Sequence, residues 1–209
     1  MTDLPIQRRR RRLSPEARRS QILDSAAQLL IDQGVLPIPP EALARHLGVG
    51  RPLIYSYFPR QADLFNALLR RALDSVLAPL AAAADLPKAL DCARQCAEAY
   101  FEHVAEQGPL LHILFSDPYA FRQLEPGLLQ ARSALVRRLA SRLRIETGLP
   151  TRDVLGSLNL LLALAEEAGI LAFRGQIDRA LGRQLSGALV VGALEELGRL
   201  SAESRSRAA

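Results

Sequence analysis

The stretch from Glu41 to Phe58, EALARHLGVGRPLIYSYF, limits the fold more than any other part of the chain. Leu43, Ala44 and Leu47 recur at helical spacing and give a short helix one apolar stripe. Gly48 ends that helix, because glycine enters the left-handed region without a Cβ penalty. Val49 then turns inward, and a second helix opens at Arg51–Pro52, where the missing proline N–H is not needed. Leu53, Ile54 and Phe58 supply the inward face of this second helix. Two short helices joined by such a turn form a helix-turn-helix, the unit that sets its second helix in the major groove of DNA.

Charge distribution agrees with that reading. The net charge is +5, and all of the excess falls in residues 1–79, which hold 12 arginines against seven acidic residues. Residues 80–209 balance 15 basic against 15 acidic residues. A basic head on a neutral body is the footprint of a polyanion-binding protein. Hydrophobic residues make up 49% of the 209 positions, enough for a substantial core. Tryptophan is absent, aromatics are few, and no alternating β-branched run appears, so the chain reads as all-α. Cys92 and Cys96 lie one helical turn apart, a poor geometry for a disulfide and too small a set for zinc. They read as small residues on a packed face, with no cofactor implied. Arg8–Arg12 is not followed by an apolar segment, so no signal peptide is expected. Apolar runs such as Leu160–Ala165 are too short to span a bilayer, which points to a cytoplasmic protein with no membrane partner.

The head also carries a family likeness. Its residues run from Ile22-Leu23-Asp24-Ser25-Ala26-Ala27 through Gly34, Leu43-Ala44 and Gly48-Val49. They continue through Ile54-Tyr55 and Tyr57-Phe58-Pro59 to Asp63-Leu64. In this order, over about a quarter of the chain, the segment resembles the DNA-binding domain of the TetR family of bacterial transcriptional regulators. The resemblance implies an N-terminal helix-turn-helix domain followed by a helical body that binds a ligand and dimerises. It also implies about nine helices.

Along the chain, residues 1–14 form an arginine-rich arm expected to be disordered, which either follows DNA phosphates or is a solubilising tail. Residues 15–62 form the DNA-binding domain, 63–84 a connecting helix, and 85–209 the effector-binding and dimerisation domain. Ser14 caps the first helix, Pro15 occupies its first turn, and Gly34 ends it. Pro39-Pro40 stands where the family carries a threonine cap, leaving the second helix without a hydroxyl. The connecting helix begins near Ala62-Asp63, and Pro79 is expected to kink or end it. Breakers divide the body into helical patterns at 88–107, 110–116, 128–147, 151–174 and 178–200.

By resemblance, Arg51 and Leu53 occupy the base-reading positions. Arginine can fork onto a guanine edge and leucine can pack on a thymine methyl. Tyr55 and Tyr57 match aromatics that reach phosphates and base edges, and Arg18 and Arg19 lie where the first helix nears the backbone. Gly50 replaces the usual serine or threonine but leaves backbone N–H groups facing phosphate. Pro52 replaces a glycine, and Gln61 replaces a common lysine. The same resemblance puts a ligand wall near Tyr100, Phe101, His103, His112, Phe115, Tyr119 and Phe121. Asn159 and Glu166 are seven apart on one face of an apolar helix. Glu166 attracts a cationic effector if that face lines a cavity, and is solvated if it lies at the rim.

The last two helices are apolar around most of their circumference and call for burial on more than one side. Leu158, Leu162, Ala165, Gly187, Ala188, Val191, Gly192 and Leu194 are therefore assigned to a two-fold, four-helix interface between copies. The expected function is a ligand-responsive, sequence-specific regulator, most often a repressor in this family. It binds a palindromic operator as a homodimer and is released by a small molecule. An architectural DNA-binding protein without an effector is the alternative. An enzyme on this fold is disfavoured, because His103, His112 and scattered carboxylates form no catalytic spacing.

Overall fold

The computed structural model describes residues 13–34 and 36–208. The arginine run Arg8–Arg12 lies outside them. Among the described residues there are ten helices and no strand. They are α1 (Pro15–Gln33), α2 (Pro40–Leu47), α3 (Arg51–Tyr57), α4 (Gln61–Ala84) and α5 (Ala89–Gln107). Next come α6 (Leu110–Ser116), α7 (Pro118–Phe121), α8 (Pro126–Thr147), α9 (Thr151–Phe173) and α10 (Arg179–Ala208).

Local chemistry sets the head. The Ser14 hydroxyl accepts from the Ala17 N–H at 3.2 Å, and Pro15 fills the first turn of α1. Helix α2 starts at Pro40 with no side-chain cap and still forms. Its inward residues Leu43 and Ala44 join the core, so burial replaces the lost hydroxyl. Gly48 takes φ 64°, and its N–H reaches back to the carbonyls of Ala44 and Arg45. That left-handed turn lets α3 leave α2 at once. Ile54 and Phe58 are buried as expected, whereas Leu53 is half-exposed and Val49 half-buried against the core.

Helix α4 starts one residue early and reaches the expected end at Ala84. It begins at Gln61, one residue before Ala62, because the Asp63 carboxylate accepts from the Arg60 N–H at 3.0 Å. It also continues through Pro79 to Ala84. A proline inside a helix costs about 3 kcal/mol, but the turn beyond it is anchored on both sides. Leu80, Ala83 and Ala84 are buried, and the Arg142 guanidinium donates to the Ala84 carbonyl. Tertiary packing outweighs the local break.

Two further differences have local causes. Asp117-Pro118 ends α6 and also starts the short α7, with the Asp117 carboxylate accepting from Tyr119 and Ala120 N–H at 2.8 and 2.9 Å. Helix α10 runs past residue 200 to Ala208, carried by Arg199 paired with Glu196 and Glu203 at helical spacing.

Buried residues fall in two clusters. One runs without a break from α1 (Ile22, Leu30) through α2 and α3 (Leu43, Ile54, Phe58) along α4 to Cys92 and Cys96 of α5. Leu110, Leu111 and Leu114 of α6 join it. The other lies among α5, α8, α9 and α10 around Leu143, Leu158, Ala165 and Leu194. Asn66 of α4, only 8% exposed, ties the first cluster to the α7–α8 connection. Its amide donates to the Ala62 and Gln123 carbonyls, each at 2.9 Å, and accepts from the Glu125 N–H at 2.7 Å.

Contrary to the reading of short apolar runs, α9 is long and apolar enough to cross a membrane by length and composition, with a mean hydropathy of 1.6. Its inner face packs on α5 and α10, with Gly169 buried where a Cβ would stand 2.7 Å from Cβ of Val104. Gly169→Val must force α9 away from α5. It should lower stability by about 1–3 kcal/mol, as overpacking does, measured by urea unfolding.

Candidate nucleic-acid interface and body cavity

On the head, α3 offers an open face. Arg51 is exposed, and its guanidinium donates to the Glu41 carboxylate of α2. The Glu41 carboxyl is held below the usual range, first by a hydrogen bond from its own backbone and then by Arg51. The Arg51 guanidinium is thus engaged by a carboxylate on the neighbouring helix. Tyr55 is 48% exposed, Leu53 half-exposed and Gly50 exposed, all within one turn of Arg51. Tyr57 is different: its ring is half-buried against the core, leaving less of it for DNA.

Arg19 on α1 stacks its guanidinium 4.9 Å from the centre of the Phe58 ring. That contact brings the first half of α1 to the end of α3. Arg18 is hydrogen-bonded to Gln21 at 2.7 Å. Gln61 is turned inward: its amide donates to the Ile38 carbonyl at 2.6 Å and fixes the start of α4 to the α1–α2 connection. A residue used in that way is a poor phosphate ligand.

In the body, a cavity of about 310 Å³ opens between α4, α5, α6, α8 and α9. Five of the nine expected wall residues line it: Tyr100, His112, Phe115, Asn159 and Glu166. The other four do not. Phe101 is fully buried core, with Gly169 and Gly182 lying against its backbone and ring. His103 points to the α4 side of α5, hydrogen-bonded to Ser75 at 3.1 Å. Tyr119 and Phe121 are 36% and 46% exposed on and beside α7, with Tyr119 edge-on to Phe65. Sequence order placed all seven aromatic and histidine positions in one region; helix phase divides them.

Glu166 faces the cavity and not open solvent, with its side chain 14% exposed. The Tyr100 hydroxyl donates to it at 3.3 Å and His112 Nδ1 lies 3.1 Å away. Burial and then the Glu166 charge push the Tyr100 hydroxyl well above its ordinary pKa. Leu73, Val76, Leu77 and Leu80 bring α4 into the same wall, a contribution the sequence reading did not assign.

The residues assigned to an interface between copies divide in the same way. Leu158, Ala165 and Leu194 are buried in the chain's own second cluster, and Leu162 lines the cavity. Gly187 is buried against Arg94 and Glu98 of α5. Ala188 and Gly192 are exposed and Val191 half-exposed. Beside them the two helices expose Leu160 (70%), Leu164, Leu181, Leu185 and Leu189 (53%). The outward face of these two helices is carried largely by leucines other than the assigned ones.

A helix-turn-helix with an arginine-bearing second helix, fixed to an all-helical body, defines a DNA-binding regulator. The comparisons narrow the class. Residues 22–68 match the model of the bacterial regulatory proteins of the tetR family. The chain is similar to the HTH-type transcriptional regulator EthR of Mycolicibacterium smegmatis, 30% identical over 187 residues, covering 79% of this chain and 83% of that protein. It is also similar to the HTH-type transcriptional activator FasR of the same species, 27% identical over 116 residues. That match covers 54% of this chain, which spans about half (52%) of FasR. Among solved structures, a TetR-like transcriptional regulator from Rhodococcus sp. RHA1 matches with a TM-score of 0.67 at 20% identity, over 88% of this chain and 99% of that one. The chain belongs to the TetR family of transcriptional regulators.

His103 gives the body a pH dependence. Ser75 commits its one proton to the Ala72 carbonyl at 2.8 Å, so His103 donates from Nδ1 and its buried Nε2 has no partner among the described residues. Burial holds its pKa below 6.5. Below that pH the unfolded chain binds a proton that the folded chain refuses, so stability falls as pH drops. Urea unfolding at pH 7, 6 and 5 should show a loss of up to about 1.4 kcal/mol per unit below pH 6.5, reduced in His103→Gln.

Proposed function

We propose that this regulator binds a palindromic operator as a homodimer, represses by occupying it, and is released when a small molecule enters the body cavity. The observation that carries the reading is α4. It shares the head's core through Leu64, Phe65 and Leu68 and walls the cavity through Leu73, Val76, Leu77 and Leu80. A ligand that changes the cavity changes the helix on which the head is mounted. Ligand and operator affinities are then linked through one coupling free energy, equal in both directions.

Two further observations support the dimer. Helices α9 and α10 carry exposed leucines on adjoining surfaces, and only 28% of the apolar window of α9 is buried within the chain. A second copy placing the same face against it buries both, and Ala188 and Gly192 permit close helix approach. Such a dimer sets two α3 helices in successive major grooves, about 34–36 Å apart. The proposed site of action is the bacterial cytoplasm, where the operator is.

In this reading Arg51 forks onto a guanine, Leu53 packs on a thymine methyl, and Tyr55, Arg18, Arg19 and the Gly50 backbone hold phosphates. Footprinting on the DNA upstream of the protein's own gene should reveal a protected palindrome. Arg51→Ala should weaken operator binding by about 1–3 kcal/mol, the worth of one bidentate base contact, with little effect on random DNA. Equal loss on both would remove Arg51 from base reading. Glu41→Gln, which frees Arg51, should tighten operator binding. Leu160→Glu combined with Leu189→Glu should convert dimers to monomers in sedimentation equilibrium; an unchanged mass would refute this interface.

A further inference from the structure

The charges on the cavity wall are not equally available. Glu166 is a carboxylate, which only accepts, so the proton shared with His112 sits on Nδ1. His112 Nε2 lies 3.4 Å from Ser116 Oγ, and the Tyr100 hydroxyl donates to the other Glu166 oxygen. These four side chains satisfy one another. Arg142, which borders a smaller apolar chamber of about 40 Å³, is spent on the carbonyls of Ala84, Leu86 and Pro87. Arg132 differs. Its guanidinium lies 4.8 Å from the centre of the Phe115 ring, and among the described residues it has no hydrogen bond or carboxylate partner. A guanidinium over a ring still presents its N–H edge, the fork that fits a carboxylate.

The remainder of the wall is mostly aliphatic. Cys96, Val136, Leu139 and Leu162 line both the cavity and the small chamber, so the chamber adjoins the cavity across these four side chains. It has room for the end of an alkyl chain and is too small for a ring. Resting on the reading of this cavity as the effector site, we infer that its ligand class is a single-chain anionic amphiphile, an alkyl chain ending in a carboxylate. The head pairs with Arg132, and the chain runs past the α4 leucines toward the small chamber. A cationic head meets Arg132 and finds Glu166 already occupied.

The test is calorimetry on the full chain without DNA, using hexanoate, octanoate, decanoate and dodecanoate below their micelle concentrations. Affinity should rise about fourfold per added methylene, the equivalent of about 0.8 kcal/mol, until the small chamber is filled. Decanoate should bind and decyltrimethylammonium should not. Arg132→Gln, at an exposed position, should weaken decanoate at least tenfold while leaving the neutral decanamide unchanged. Leu162→Phe should shorten the preferred chain; the wild-type length series carries the same information if that variant does not fold. Equal binding of the cationic amphiphile, equal losses for decanoate and decanamide, or a flat length series would each overturn the inference. Decanoate binding that leaves the operator complex intact would sink the effector reading and leave the ligand class standing. Operator release by other compounds, with no decanoate binding, would sink the ligand class alone.

Discussion

The structure depends on one continuous line of apolar contact along α4. A helix of seven residues such as α3 cannot hold itself together in water, since isolated helices shorter than about 12–15 residues are marginal. Helices α1, α2 and α3 are ordered because Ile22, Leu30, Leu43, Ile54 and Phe58 close on the first turns of α4 at Leu64, Phe65 and Leu68. The same helix then buries Leu73, Val76 and Leu80 among body residues. The head therefore has no core separate from α4. Asn66 adds a directional constraint at the crossing point, because its three hydrogen bonds fix α4 against the connection into α8. A buried amide fully satisfied in one arrangement penalises any other, as unpaired polar groups inside a protein do.

The backbone ladder of α4 has one missing bond. Pro79 removes one backbone donor between Leu77 and Leu80, two of the residues facing the cavity. Helices bend at proline because a ladder bond is missing there. The part of α4 that walls the cavity thus contains the missing ladder bond, held in place by the burial of Leu80, Ala83 and Ala84. In the proposed mechanism, movement at the cavity would reach α3 as a change of direction, with the head's internal packing kept. Energetically, a ligand shifts this balance only by its difference in affinity for the two arrangements.

What the sequence made legible follows the range of the interactions. Ser14, Pro15, Gly48 and Asp117 act on neighbours within four residues, so their positions mark helix ends directly. At Pro79 the helix does not end, because long-range burial of Leu80 and Ala84 outweighs a local break. The Arg51–Glu41 pair was invisible for the same reason: its partners are ten residues apart on two helices, joined only by the turn. Gln61 could not be read as inward-facing without Ile38 in place. On α9 and α10 the difficulty was phase. Helices apolar on nearly every side give no periodic signal to separate Leu158 and Leu194, which face inward, from Leu160 and Leu189, which face out. Phe101 failed similarly, since it directly follows Tyr100 and successive helical positions diverge by about 100°; His103, three positions on, stacks on the Tyr100 ring at 6.4 Å but is held by Ser75 outside the cavity wall.

The two apolar surfaces of the body also explain each other. An all-helical body needs apolar residues inward for stability, and a regulator of this type needs further apolar surface for a ligand and for a second copy. In this chain α9 presents three surfaces: Val154, Leu158 and Ala165 toward the core, Leu162 and Glu166 toward the cavity, Leu160 and Leu164 outward. Side chains separated by two to four positions thus face different neighbours, and a rotation of α9 that enlarges the cavity also turns its outward leucines. If those leucines pair with a second copy, the cavity and the distance between the two recognition helices are joined through α9 as well as α4. The apolar composition of α9 is then accounted for by these three surfaces.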